Sequence, residues 1–244
     1  MLRVLSIAAT LLLVTGTATA GCETHDFEGT NVTACVIDPV IDDLRLFLNA
    51  ADGTAYGSFD ALDTALADQG LQLDIAMNGG MYHSNRAPVG HFVEEGVEAV
   101  PVITAEGPGN FGLLPNGVFC LADGRASITE SRAFAQASPA CRFATQSGPM
   151  LVIDGALHPR FLPNSRSFKL RNGVGVRDDG TVVLAISDRA ITFHHFARFF
   201  RDQMDTPNAL FLDGSVSRLF DRASGRSDFG SRLGPIIGTV SPVD

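Results

Sequence analysis

Glycine placement constrains this chain most. Its 25 glycines lie between short apolar runs. An amphipathic helix needs about ten or more residues of unbroken period, whereas a strand needs only about four to eight. The punctuated pattern therefore predicts strands over 34–37, 44–49, 72–77, 89–93, 117–121, 150–153, 173–177, 181–187 and 209–212. Asp178-Asp179-Gly180 is a hairpin turn between two of them. Two helices are expected. One runs from Ser58, a serine cap, to Gln69 and carries Leu62, Ala65 and Leu66 on one face. The other runs from Thr192 to Met204 and aligns Phe193, Phe196, Phe199 and Phe200 as a core stripe. Strands outnumber helices and do not alternate with them. This predicts an α+β fold, a mixed β-sheet core with a few packed helices. No shift of composition breaks residues 21–244, so they are expected to form a single domain.

Residues 1–20 read as a signal peptide. Met1-Leu2-Arg3 is a short basic start, Val4 to Val14 is almost wholly apolar, and Ala18-Thr19-Ala20 is a small-residue cleavage site. No later run is long enough to span a bilayer, so no integral membrane segment is expected. The mature chain is expected to be exported, periplasmic or secreted. Without Arg3 it holds 17 basic against 27 acidic residues, a net charge of −10. Such a chain is a poor nucleic-acid binder. Cys22, Cys35, Cys120 and Cys141 make an even count, which in an exported protein reads as two disulfides. Neighbour pairing would close two short loops, and the other two pairings stay open. Thr19-Ala20-Gly21-Cys22 also approaches a lipoprotein cleavage box, which would place a lipid on Cys22.

Several apolar runs begin or end at a glycine-containing polar turn: Asn78-Gly79-Gly80, Gly107-Pro108-Gly109-Asn110, Gln146-Ser147-Gly148-Pro149 and Asp213-Gly214-Ser215. Glycine lets main-chain amides approach a ligand closely, and successive amides in such a turn favour an anion. If these turns meet at one edge of the sheet, they form a polar cleft. The stretch His158 to Asn172 holds Arg160, Arg166, Lys169 and Arg171 with no acid. In so acidic a chain it is the obvious place for an anionic group, which arginine can grip with two parallel hydrogen bonds.

The segments "AMNGGMY", "ATQSGPMLVIDG", "RNGVGVRDDGTVVLAIS" and "NALFLDGSVSRLF" together resemble the phosphodiester glycosidase domain family, in its exported bacterial branch. The resemblance runs from about Cys35 to Gly238. It implies a hydrolase that cleaves a glycosidic bond to phosphate, acting on a glycan or a small sugar-phosphate substrate. Asn78 and Gly79 fall on the family's Asn-Gly-Gly, and Gln146, Ser147 and Gly148 on its Gln-Ser-Gly-Pro. Arg171 and Asn172 fall near its Arg-Thr position, with Asn172 in place of the more usual threonine. Asp213 and Gly214 fall on its Asp-Gly-Gly, with Ser215 replacing the second glycine.

Cleaving a sugar C1–O bond with phosphate as leaving group passes through an oxocarbenium-like transition state. The demands are to hold the departing anion and steady the cationic ring. Asp213 is expected to face the anomeric carbon, with Asn78 and Arg171 completing the catalytic set. Gln146 and Asn78 are expected on sugar hydroxyls or the phosphate, and Arg166 with Arg171 on the phosphate. Gly79, Ser147, Gly148, His158, Asn172 and Gly214 are expected to line the substrate. Asp188 and Glu94 are candidates for a second carboxylate. No metal-ligand spacing appears, although Asp213 with nearby carbonyls could take a divalent cation. The alternative from another class is a non-catalytic envelope module that binds an anionic sugar without turning it over.

Overall fold

The computed structural model describes residues 20–243. The expected signal peptide lies outside the described residues except for Ala20. The chain opens with β1 (Gly21–Phe27), β2 (Thr30–Ile37), β3 (Asp43–Phe47), helix α1 (Phe59–Ala67) and β4 (Leu71–Asn78). Next come β5 (Phe92–Glu94), β6 (Val97–Val100), β7 (Gly117–Ala122), β8 (Arg125–Glu130), α2 (Ser131–Ala137), β9 (Phe143–Ser147), β10 (Met150–Ile153) and β11 (Ala156–Leu157). Then follow β12 (Asn172–Val176), β13 (Val182–Ser187) and α3 (Phe193–Arg198), which runs into a π-helical turn at Phe199–Gln203. The chain finishes with β14 (Asn208–Asp213), β15 (Leu219–Asp221), β16 (Arg226–Ser227) and β17 (Ile236–Pro242).

The strands form three sheets. One has seven strands in the order β1-β2-β13-β12-β14-β10-β11, and two have five, β16-β15-β4-β17-β3 and β6-β5-β9-β7-β8. The α+β class holds and all nine predicted strands are present. Every ladder between described strands is antiparallel, where a mixed sheet was expected.

The unbroken apolar run of β13 follows from its position. It lies between β2 and β12 and is covered on both faces, so it does not alternate. Val182, Leu184 and Ile186 enter a core shared by all three sheets, while Val183 and Ala185 face a second core under α3. In that second core Phe196, Phe199 and Phe200 are fully buried, each stabilising by about 1.5–3 kcal/mol relative to exposure. The predicted second helix gives way at Phe199 to the wider π turn. Adjacent residues on an α-helix diverge by about 100°; the wider turn brings both Phe199 and Phe200 inward. Ser58 caps α1 by accepting the Ala61 N–H, and Phe59, Leu62 and Leu66 press onto the β4 sheet.

The disulfides are Cys22–Cys35 and Cys120–Cys141, the neighbour pairing. The first joins directly opposed positions of β1 and β2. With its sulfur bonded to Cys35, Cys22 has none to offer a lipid. No described helix is long and apolar enough to cross a membrane. The disulfides fit an extracytoplasmic setting.

Candidate active site

One end of the molecule gathers the C-termini of β4, β9 and β14 and the starts of β12, β15 and β17. The pairings Asn172 with Asp213, Ile236 with Asn78, Leu219 with Met77 and Gly117 with Ser147 fix this arrangement. Here the sheets are stitched together by side chains. Asn78, fully buried at the end of β4, donates from Nδ2 to Asn172 Oδ1 at 3.2 Å. Asn172 Nδ2 donates back to the Asn78 carbonyl at 3.1 Å. Asn172 Oδ1 also accepts the Asp213 N–H at 2.9 Å, and Asn78 Oδ1 accepts the Arg218 N–H at 3.0 Å. The two asparagines thus hold the main chain of Asp213 and Arg218.

The glycines beside them have a packing reason. A Cβ on Gly79 would come within 3.0 Å of the Ile236–Ile237 backbone, and one on Gly80, whose φ is +154°, within 2.8 Å of Thr145 Oγ1. Thr145 Oγ1 donates to the Gly79 carbonyl and Ser147 Oγ to the Leu212 carbonyl, which brings the β9 sheet into the same junction.

Above this floor stand Asp213, Arg218 and Tyr82. Asp213 is partly exposed and Oδ1 accepts the Ser215 N–H at 2.8 Å. Burial pushes its carboxyl above the usual range, against the opposing pull of the amides of Ser215, Gly214 and Val216. Among the described residues no Lys, Arg or His forms an ion pair with it. Arg218 is 6% exposed, and its Nη2 is buried with no hydrogen-bond partner among the described residues. Burial pushes its guanidinium below the usual arginine range. Tyr82 connects the two: its hydroxyl donates to the Arg232 carbonyl at 2.8 Å and it feels the charge of both Asp213 and Arg218. Burial chiefly, then the Asp213 charge, makes its phenol harder to ionise. A buried guanidinium whose Nη2 has no hydrogen-bond partner is electrostatically incomplete, and an anion would complete it.

Other expected residues have different surroundings. Gln146 is saturated. Oε1 accepts the N–H groups of His91 and Ile103, both at 3.0 Å, while Nε2 donates to the Ile103 carbonyl and Ser131 Oγ. That uses every donor and acceptor an amide side chain has, so Gln146 ties loops together and has nothing left for a sugar. Gly148 is needed because a Cβ would lie 2.6 Å from Asn116 Cβ. Arg171, expected to be a phosphate grip, is 1% exposed. It donates from Nε to the Ile191 carbonyl and from Nη2 to the Ser167 carbonyl. Its guanidinium stacks 3.6 Å from the Phe193 ring centre, and burial lowers its pKa to about 10. It is a brace in the wall behind Gly214, where a Cβ would meet the Leu170 carbonyl and the Phe211 ring at 3.1 Å.

Arg166 projects from an exposed loop. His158 is buried against Phe161, accepts the Arg160 N–H at Nδ1 and leaves Nε2 without a hydrogen bond. Burial favours its neutral form; the Leu114 carbonyl opposes this, outside hydrogen-bond geometry. The suggested second carboxylates lie elsewhere. Asp188 pairs with Arg226 at 3.5 Å, and Glu94 lies near Arg45 and Tyr56. Asp228, which accepts the Leu219 N–H and pairs with Arg226 at 3.0 Å, is the carboxylate whose charge reaches Arg218.

Sequence reasoning missed Arg218, Tyr82 and Asp228. The first two lie inside the segments "NALFLDGSVSRLF" and "AMNGGMY", and Arg218 is five residues past Asp213. Two cavities of about 560 and 650 Å³ lie away from Asp213. Their charged groups are largely satisfied: Arg222 pairs with Asp63, Asp74 accepts from Ser241, and Arg177 donates to the Met204 carbonyl.

The family model described as phosphodiester glycosidase matches residues 72–226. The chain belongs to the phosphodiester glycosidase family. The uncharacterised Escherichia coli K12 protein YigE is 36% identical over 219 residues, spanning 90% of this chain and 85% of YigE. Among solved structures, the fold resembles the zebrafish N-acetylglucosamine-1-phosphodiester α-N-acetylglucosaminidase catalytic domain, auto-inhibited by its pro-peptide. The TM-score is 0.61 at 13% identity, over 91% of this chain and 82% of that one. A hypothetical protein from Synechocystis aligns at TM-score 0.59 and 15% identity, over 91% of this chain and 61% of that one. The phosphodiester glycosidase match covers Asn78, Asn172, Asp213 and Arg218.

Proposed function

We propose that this protein is an exported hydrolase that cleaves the bond between a sugar's anomeric carbon and a phosphate oxygen. The carrying observation is that the Asn78–Asn172 floor holds both Arg218, whose buried Nη2 has no hydrogen-bond partner among the described residues, and Asp213, whose carboxylate forms no ion pair among them. Family membership supplies the reaction class. In this reading the phosphate sits on Arg218, because the amides of the turn after Asp213 are spent on the Asp213 carboxylate. The C1–O bond breaks with its electron pair passing to the phosphate oxygen. Water supplies hydroxide to C1, and its proton ends on the phosphate monoester or in solvent. A phosphate monoester has a second pKa near 6, so it leaves at neutral pH without strong proton donation. Asp213 then stabilises the cationic ring or activates the water, and Tyr82 lies against the sugar or the phosphate. Asn78, Asn172 and Arg171 act as positioning residues.

The test is incubation of the full mature chain with a panel of sugar-1-phosphodiesters, following release of reducing sugar with and without a chelator. Release from at least one member, lost on changing Asp213 or Arg218, supports the reading. Loss on chelation would show that the reaction needs a divalent cation. Binding with no release from any member would leave a binding module and end the hydrolase assignment.

A further inference from the structure

We propose that the loop from Pro159 to Leu170 is a membrane-docking surface, which seats the protein on an anionic bilayer with the Asp213–Arg218 cleft beside the lipid headgroups. The proposal does not depend on the reaction assigned above. Leu162, Phe168 and Leu170 are 61%, 57% and 43% exposed within this one short loop. Large apolar side chains clustered in water mark an interaction surface. Arg166 and Lys169 stand exposed among them, and neither forms an ion pair with another described residue. Arg160 is set aside because it lies 3.7 Å from Glu106. No acid occurs between Asp154 and Asp178, although residues 21–244 carry −10 overall. An anionic surface repels the bulk of such a chain and attracts this loop; the acids beside it are themselves paired, Glu106 with Arg160 and Glu28 with Arg198. Apolar tips flanked by cations are the chemistry of an interfacial anchor.

The loop is built to hold its tips outward. Ser165 N–H donates to the Leu162 carbonyl at 3.1 Å and Phe168 N–H to the Arg166 carbonyl at 3.0 Å. Lys169 is bridged to Ile191 by two main-chain hydrogen bonds of 3.1 and 2.8 Å. The buried Arg171 guanidinium clamps the base through the Ser167 carbonyl. The loop also borders the cleft, since the Leu170 carbonyl packs against Gly214. Phe229, 96% exposed, precedes Gly230, where a Cβ would lie 3.4 Å from the Arg218 Nε.

The chain contains no tryptophan, so Phe168→Trp makes a single fluorescent reporter in the full mature protein. Its emission should shift to the blue on adding vesicles of phosphatidylcholine with phosphatidylglycerol. The shift should be absent with phosphatidylcholine alone and reversed by salt. A control at exposed Val97, Val97→Trp, should stay unmoved. Arg166→Gln with Lys169→Gln should weaken vesicle binding about thirtyfold, at about fivefold per cation near such a surface. Phe168→Ser should abolish sedimentation with vesicles while release from a soluble sugar phosphodiester is unchanged. Three results would each overturn docking: no shift with anionic vesicles, an equal shift with neutral ones, or a shift caused by the soluble phosphodiester alone. All are binding readouts, so they stand or fall whether or not the protein turns over a sugar phosphodiester.

Discussion

Gln146 and Arg218 are both polar, both nearly inaccessible and both beside strand ends at the same end of the molecule. Their surroundings are opposite. Gln146 makes four hydrogen bonds, to His91, Ile103 and Ser131. Arg218 leaves Nη2 with none among the described residues. A saturated buried group is mortar; an unsatisfied one costs stability and persists where a ligand completes it. Asn78 and Asn172 fall on the Gln146 side, because their amides are spent on each other and on the chain around Asp213 and Arg218. The comparison therefore separates residues that build the cleft from residues that act in it.

The sharpest way to break this division is Asp213→Asn. The substitution keeps shape and the acceptor for the Ser215 amide but removes the charge. On a sugar phosphodiester the wild type cleaves, kcat should fall on the order of 10²–10⁴-fold, with circular dichroism unchanged. Near-wild-type turnover would move the chemistry elsewhere.

Arg218→Met probes the other unsatisfied group. Losing an electrostatic clamp on the departing anion should lower kcat/KM by about 10²–10³-fold. Thermal stability should hold, because removing a buried guanidinium whose Nη2 has no hydrogen-bond partner offsets the lost attraction to Asp228. A large drop in Tm with activity per folded molecule intact would put Arg218 among the mortar.

Gln146→Leu should behave in the reverse way. It strands the His91 N–H and both main-chain groups of Ile103, and should cost about 2–3 kcal/mol of stability in urea titration. Turnover per folded molecule should stay within a few-fold. Full stability with collapsed turnover would return Gln146 to the substrate.

What could be read from the sequence divides along the same line. The β13 run, Val182 to Ser187, is apolar throughout because both faces are covered, and its composition alone identifies the strand. Asn78-Gly79-Gly80 and Asp213-Gly214 mark strand ends that do meet, through Asn172, and their glycines stand where close packing excludes a Cβ. Strand β1, "GCETHDF", escaped notice because it is a polar edge strand, tied down by the Cys22–Cys35 disulfide instead of by apolar faces. Arg171 and Arg218 are alike as letters in a string. The carbonyls that neutralise Arg171 belong to Ser167 and Ile191, and the Ile191 contact spans twenty residues. The structure distinguishes a braced guanidinium from a bare one; local sequence carries no such mark.

Glu94 sets the limit of the comparison. Burial raises its pKa to about 7, opposed by the Leu48 amide and reinforced by Glu95. It is thus perturbed like Asp213 but lies outside the cleft, beside Arg45 and Tyr56. Perturbed titration also arises from burial without function, so geometry has to decide. Between pH about 4.5 and 7 the folded state holds this proton and the unfolded state does not. Stability from Glu94 is therefore present at low pH, is lost as pH rises through that window, and is level above it. Glu94→Gln should remove the loss and raise stability at pH 8 by about 1 kcal/mol, after discounting for partial exposure. The gain should vanish near pH 4, and turnover should be unchanged at both. If turnover falls instead, an unsatisfied carboxylate remote from Asp213 governs the reaction, and a missing partner no longer identifies the acting residues by their place in the cleft.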